Sequence, residues 1–305
     1  MQRRFIDYLV ISFKGLAMGA ADAVPGVSGG TIAFISGIYE ELINTISNIN
    51  VSLFKTLSKK GFKEFWNALN GNFLVALLSG IIISFVSFMK LAKYLLEYHP
   101  VLIWSFFFGL IVASIYFVGK QITKWRFATI IALILGAAIA FYISKLPSLA
   151  TNESPWFLFL AGAIAICAMI LPGISGSFIL IILGAYKTLS DAIHDIDIKK
   201  LVIFAGGALI GLLSFSHVLK WLFKNYHNIT LALLTGFIFG SLNKVWPWKK
   251  TLSWHTNSKG INTPLLQESV SPFSFEGDNQ IIYAIILMIL GFLTIFILEK
   301  IGSKK

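Results

Sequence analysis

Two short strings hold most of the chemistry this sequence offers: PGVSGGT from Pro25 to Thr31, and PGISGS from Pro172 to Ser177. In each, the proline removes a backbone donor and biases the preceding residue out of the helical region, while the glycines permit the dihedrals of a sharp turn. A half-helix opening at Gly29 or Gly176 would aim backbone amides and the positive end of its dipole at the space in front of it. With Gly26, Gly30 and Gly173 in the turns, and with hydroxyls on Ser28, Thr31, Ser175 and Ser177, the two strings make a candidate cradle for an anion. The plainer reading stays open: glycines that only permit close packing, with serines capping the helices.

Asp22 lies just before the first turn and has no counterpart before the second. An acid at the centre of a bilayer-spanning helix costs about 2.5–3.5 kcal/mol on insertion scales, which argues for a role. That role is proton or cation coupling, or orientation of the turn by bonding to its amides; the alternative is a simple helix cap. Lys14 is a second ionisable candidate, or a side chain that snorkels to the interface. Glu40 is placed at a helix end near the headgroups, and Tyr39 and Tyr186 are placed either in a cavity wall or in an interfacial aromatic belt.

Other chemistry finds little support. His99, His194, His217, His227 and His255 show neither metal-ligand spacing nor a paired carboxylate, and there is no phosphate-binding loop for a nucleotide. Cys167 is the single cysteine and sits in an apolar run, so an internal disulfide and a cysteine zinc site are excluded. No cofactor, no metal and no enzymatic activity are expected. A scaffold role is disfavoured because it leaves an acid beside a broken helix unexplained.

The elements that must position these residues are membrane helices. Hydrophobic residues make up 56% of the 305 and charged residues 13%, far below the charge of a soluble domain. Uncharged runs at 65–89, 98–119, 127–144, 154–186, 201–219, 225–243 and 279–298 mostly match the roughly 20 residues that cross a bilayer. The net charge of +11 comes from lysines and arginines clustered between these runs, where membrane flanks belong, and nucleic-acid binding is not expected. Arg3 and Arg4 before an apolar stretch imitate a signal peptide, but Asp7 and Lys14 interrupt that stretch, and the segment after it has a copy deep in the chain.

That copy defines the organisation. Placing Pro25 on Pro172 aligns Gly26 with Gly173, Ser28 with Ser175, Gly29 with Gly176, Gly37 with Gly184, Tyr39 with Tyr186 and Leu42 with Leu189. The halves differ where Asp22 meets Met169, Lys14 meets Ala161, Thr31 meets Phe178 and Glu40 meets Lys187. A weaker echo pairs Tyr98-His99 with Tyr226-His227. The uncharged stretch 154–186 is too long for one crossing and too short for two, so it reads as a hairpin of half-helices. Irregular backbone at that depth must face protein or a wet cavity.

The expected fold is an all-α polytopic membrane protein with two inverted-topology repeats, each a broken-helix re-entrant hairpin followed by three transmembrane helices. The first repeat covers 1–150, with its hairpin at 5–46 and a surface helix at 47–70; the second covers 151–305, with its hairpin at 155–195 and an outer loop at 244–278. Together they form one membrane domain. An odd number of crossings per half inverts the second copy, an architecture common among secondary transporters, whose sites lie between the repeats. The lysine and arginine distribution places both termini in the cytoplasm. Whether the hairpins are re-entrant or fully spanning does not alter that parity.

The string KGLAMGAADAVPGVSGGTIAFISGIYEEL from Lys14 to Leu42, together with LPGISGSFILIILGAYKTL from Leu171 to Leu189, resembles the bacterial polyprenyl-phosphate translocase family. The resemblance extends over essentially the whole chain, the 244–278 loop excepted. It implies that undecaprenyl phosphate is carried from the outer to the cytoplasmic leaflet of the inner membrane, recycling the lipid carrier of cell-envelope synthesis. A phosphate headgroup suits the two turns, and protons or other cations are the implied coupling partners. An ion-coupled transporter of a small soluble anion would use the same turns without a lateral opening for a lipid tail.

Overall fold

The computed structural model describes residues 3–24, 27–146, 152, 154–256 and 262–302. Thirteen helices and one two-stranded hairpin are formed among them. The first half contains α1 (Phe5–Asp22), α2 (Gly29–Ile35), α3 (Tyr39–Ser47), α4 (Val51–Ala68), α5 (Gly71–Tyr98), α6 (Pro100–Lys120) and α7 (Phe127–Lys145). The second contains α8 (Pro155–Ile170), α9 (Gly176–Ile182), α10 (Tyr186–His194), α11 (Ile198–Gly240), α12 (Leu242–Val245), β1 (Lys249–Thr256), β2 (Asn262–Ser269), a 3-10 turn at Pro272–Ser274 and α13 (Ile281–Gly302).

Local sequence explains where these helices start. The Arg4 amide donates to the Asp7 carboxylate at 2.9 Å, and Asn50 accepts from the Ser52 and Leu53 amides at the head of α4. Pro100 and Pro155 occupy first-turn positions, where a missing N–H costs nothing. Ser154 and Asp197 accept amides at the heads of α8 and α11.

The repeat seen in the sequence reappears in the backbone. α2 and α9 are each 7 residues long, and α3 and α10 are each 9. Between the members of each pair stand Gly37 and Gly184, at φ of +73° and +70°, a left-handed conformation that glycine adopts without steric cost. α9 and α10 are bent by 110°. A second shared break sits at His99 (φ −136°, ψ 49°) and at Tyr226 (φ −135°, ψ 44°), which divides α11 into two helical segments. The matching dihedrals fall one residue off the Tyr-His alignment, so that echo is displaced by one position.

Helix packing has the same regularity. α1 lies along α5, where a Cβ at Gly15 would meet the Leu77 carbonyl and one at Gly19 the Ile81 carbonyl, so the two helices run in the same direction. α8 meets the first segment of α11 in the same way, Gly162 against Phe204 and Gly207 against Phe159. α6 pairs with α13 through Gly109 and Gly291, and α7 pairs with the second segment of α11 through Gly136 and Gly236. Small residues let backbones approach closely, which is how helices associate where lipid removes the hydrophobic drive between them.

Four helices, α5, α6, α7 and the long α11, are long and apolar enough to cross a membrane among the described residues, and the bent α9–α10 pair makes up to five. Their outer faces carry Ile82, Ile83, Val86, Ile134 and Leu135, with Ile286 and Ile289 on α13, all exposed. An apolar surface of that extent belongs against lipid. The buried core is centred on the hairpin tips, with Val24, Val27, Ile32, Ala33 and Ile174 beside α6 and α11 residues such as Ile111, Leu234 and Ile238.

Within 47–70 the chain forms α4, with Phe54, Leu57 and Phe62 exposed and a kink at Gly61. The 244–278 segment, expected as a loop between helices, holds a two-stranded ribbon: β1 and β2 pair antiparallel, Lys249 opposite Ser269, with irregular register between Thr251 and Trp254. Alternating polar and apolar residues such as Thr251-Leu252 suit a pleated ribbon, which periodicity for membrane helices does not detect.

Candidate functional site

The described residues of the two broken hairpins meet in the buried core. Ser28, at the head of α2, donates to the Met169 carbonyl at 3.4 Å, and Tyr39, at the head of α3, donates to the Ile170 carbonyl at 3.1 Å. In the reverse direction, the Gly173 amide donates to the Thr31 hydroxyl oxygen at 2.9 Å. Gly30 faces the same carbonyls, since a Cβ there would come within 2.8 Å of the Ile170 oxygen and 3.0 Å of the Met169 oxygen. Ending α8 at Ile170 frees carbonyls that would otherwise be bonded within the helix, and the first hairpin supplies their donors.

Asp22 has a definite partner. Its Oδ1 accepts the Gly29 amide at 2.7 Å, and its other oxygen fills the space a Cβ at Gly29 would need. The carboxylate therefore stands where the amide of the first turn would meet an external anion. In the second turn the corresponding neighbour is the Met169 side chain, 3.1 Å from a Cβ placed on Gly176, so no acid fills that place. Ser175 is buried, and its hydroxyl lies 2.8 Å from that of Ser177. Pro25 and Gly26, the remaining members of the first turn, lie outside the described residues.

The other sequence-derived candidates separate by position. Lys14 donates from Nζ to the Ser36 carbonyl at 2.6 Å, tying the middle of α1 to the end of α2. Tyr39 is 2% exposed and stacks edge-on with Phe34 and Phe223, forming an inner wall, whereas Tyr186 is 46% exposed at the surface. Glu40 pairs with His227 at 3.0 Å on an exposed face. Glu41, next to it, takes a two-pronged bond from Arg3 at 2.6 Å and one from Asn70 at 2.9 Å, so the start of α1 and the start of α3 stand side by side.

A narrow cleft opens on the other side of the tips, bordered by Ala140, Ile143, Ser144, Gly173, Ile174, Ser175, Phe178, Ser241 and Lys244. Of its polar members only Ser175 and Gly173 were singled out in the sequence. Ser144 ends α7, while Ser241 and Lys244 follow the long helix α11, and no local pattern joins positions so far apart. A lysine beside a Trp-rich stretch, Lys244-Val-Trp-Pro-Trp, was the one available cue. Among the described residues, no group of His, Cys, Asp and Glu side chains is arranged to hold a metal ion.

Comparison with known proteins adds identity. The profile of the VCA0040-like, undecaprenyl phosphate translocase-like family matches residues 18–263. A protein of Vibrio cholerae serotype O1 named polyprenyl-phosphate transporter is 46% identical over 308 residues, covering 100% of both chains. One of Staphylococcus aureus with the same name is 34% identical over 253 residues, covering 77% of this chain and 84% of its own. No solved structure matches. With two broken hairpins bonded to each other inside an apolar helical bundle, and with full-length similarity to these transporters, the chain belongs to the VCA0040-like, undecaprenyl phosphate translocase-like family.

Proposed function

We propose that this protein moves undecaprenyl phosphate from the outer to the cytoplasmic leaflet of a bacterial inner membrane, returning the lipid carrier for cell-envelope synthesis. The observation that carries the reading is the junction of the two broken hairpins, where backbone carbonyls and amides deep in an apolar bundle are bonded across the halves. Polar backbone at such a depth suits a gated headgroup path. The relatives' names, polyprenyl-phosphate transporter, agree with that substrate. The transport is non-enzymatic, and the isoprenoid tail stays in lipid while the phosphate crosses.

In this reading, the halves 1–150 and 151–305 are inverted repeats, each a re-entrant hairpin and three crossings, with both termini in the cytoplasm. The bond from Arg3 to Glu41 supports the re-entrant form, because a hairpin that begins and ends together does not cross. The parallel pairings of α1 with α5 and of α8 with α11 support the repeat. Gly26, Ser28, Gly29, Gly30 and Thr31 belong to one side of the headgroup path, and Gly173, Ser175, Gly176 and Ser177 to the other. Lys14, Tyr39, Glu40 and Tyr186 contribute to gating.

Coupling follows from electrostatics. A phosphate monoester carries about −1.5 to −2 charges, and each costs about 2.3 kcal/mol per 100 mV when moved toward a negative interior. Co-moving protons or other cations offset that cost, and Asp22 is the acid at the junction. The test is flipping of fluorescent polyprenyl phosphate in proteoliposomes across pH. Wild-type protein flips it in a pH-dependent manner, and Asp22→Asn loses that dependence. Equal rates and equal pH profiles for both proteins would sink the coupling, and a wild type without flipping would sink the transport reading.

A further inference from the structure

The segment from α12 to β1 carries two lysines that no motif singled out. Lys244 Nζ lies 4.0 Å from the centre of the Phe178 ring, and Lys249 Nζ lies 3.5 Å from that of Trp104. Lys249 also donates to the Lys244 carbonyl at 2.6 Å, which holds the second ammonium beside the first residue's backbone. The ion pairs among the described residues use other groups: Arg3 with Glu41, Lys200 with Asp197, His227 with Glu40 and Lys250 with Glu276. No carboxylate among the described residues pairs with Lys244 or Lys249. Aromatic faces stabilise a cation without neutralising it. Burial, and after it the charge of Lys244, pushes the Lys249 ammonium well below the usual lysine range, and an anion beside it would favour the charged form again.

Lys244 also borders the cleft at the hairpin tips, together with Ser144, Ser175 and Ser241. The space inside is about 10 Å³, room for one water or one phosphoryl oxygen, so a headgroup would sit at the mouth with an oxygen inserted. The Ser144 and Ser241 hydroxyls donate at 2.7 Å to the Phe141 and Ile238 carbonyls, so they meet an acceptor oxygen only after turning, and the ammonium is the donor at this space that suits an anion and repels a cation. The asymmetry of the halves points the same way. Phe178, which seats Lys244, replaces the Thr31 that ties the first hairpin to the second. At the first turn, Asp22 already occupies the amide.

We infer that Lys244, with Ser144, Ser175 and Ser241, forms a docking site for a phosphate monoester on the side of the tips where α7 ends and β1 begins, and that Lys249, bonded to the Lys244 carbonyl, adds positive charge from just outside the cleft lining. The inference rests on the proposed phosphate substrate, and it goes further by assigning charge neutralisation to two lysines outside both turns. The same chemistry would accept a lipid headgroup or free phosphate, and the probes distinguish the two.

The experiment uses the full chain in lipid nanodiscs, with farnesyl phosphate and inorganic phosphate as probes. Binding is read by the fluorescence of the tryptophans, of which Trp104 lies against Lys249. Folding of each variant is checked by circular dichroism. Lys244→Gln and Lys249→Gln each weaken farnesyl phosphate binding by about tenfold or more. Lys244→Arg retains binding, and Lys250→Gln, whose lysine is an exposed partner of Glu276, stays within about twofold. Farnesyl phosphate bound equally by wild type and both glutamine variants overturns the lysine site and leaves the substrate reading intact. Lysine-dependent binding of inorganic phosphate alone supports the site and overturns the lipid substrate. No binding of either probe by wild type overturns the site.

Discussion

The Gly173 amide donates to the Thr31 hydroxyl oxygen at 2.9 Å, joining residues 142 positions apart at the meeting point of two broken helices. Thr31 is 1% exposed, and its aligned counterpart in the second half is Phe178, which cannot make the reciprocal bond. The junction is therefore held mainly from one side, by Ser28, Thr31 and Tyr39 of the first hairpin acting on Met169, Ile170 and Gly173 of the second.

Thr31→Val keeps the shape of the side chain and removes the acceptor, leaving the half-buried Gly173 amide without its partner. Such an orphan costs about 1–3 kcal/mol. Thermal unfolding of the detergent-solubilised protein registers the loss, and Thr31→Ser recovers most of it. An unchanged midpoint for Thr31→Val would mean that the amide finds another acceptor.

Asp22 separates two roles by chemistry. Asparagine retains an oxygen for the Gly29 amide and loses the charge, whereas alanine loses both. Asp22→Ala is expected to lower stability by about 1 kcal/mol or more relative to Asp22→Asn, the usual worth of a helix cap. Chemical denaturation of the two variants side by side measures the difference, and equal stabilities would remove the capping role.

The α1–α5 contact depends on backbone approach at Gly19, where a Cβ would run into the Ile81 carbonyl. Gly19→Val forces the helices apart and is expected to cost about 1–3 kcal/mol, as overpacking does. Gly119, with open space around it, provides the control, and Gly119→Ala leaves the melting temperature near that of wild type. A Gly19→Val protein as stable as the control would refute the close approach.

Glu41 makes the closure of the first hairpin sensitive to acid. Burial alone would push its carboxyl up, but the bonds from Arg3 and Asn70 outweigh burial and hold it below the usual carboxylate range. A carboxyl with a depressed folded-state pKa contributes stability that is fully present above its unfolded value, about 4.3. That contribution fades as pH falls through the lower folded value. Melting temperatures between about pH 6 and pH 3 are expected to fall more steeply for wild type than for Glu41→Gln. Parallel pH profiles for the two proteins would contradict the assignment.

The breaks and the helices between them were legible along the chain. Pro172 with its glycines, Gly37 and Gly184, and the uncharged runs act through backbone sterics and hydrophobicity, which are local or periodic and so can be read along a chain. The repeat was legible for the same reason, since identical local needs leave identical residues. Tertiary structure alone decided what each side chain meets. Asp22 faces the Gly29 amide, Thr31 and Ser28 bond the opposite hairpin, Tyr39 is an inner wall while Tyr186 is at the surface, and Lys244 reaches the cleft from beyond α11. Those contacts depend on how two distant halves pack and on which donor reaches which exposed carbonyl first. No spacing rule encodes that outcome, because hydrogen-bond partners at a helix break are set by three-dimensional proximity.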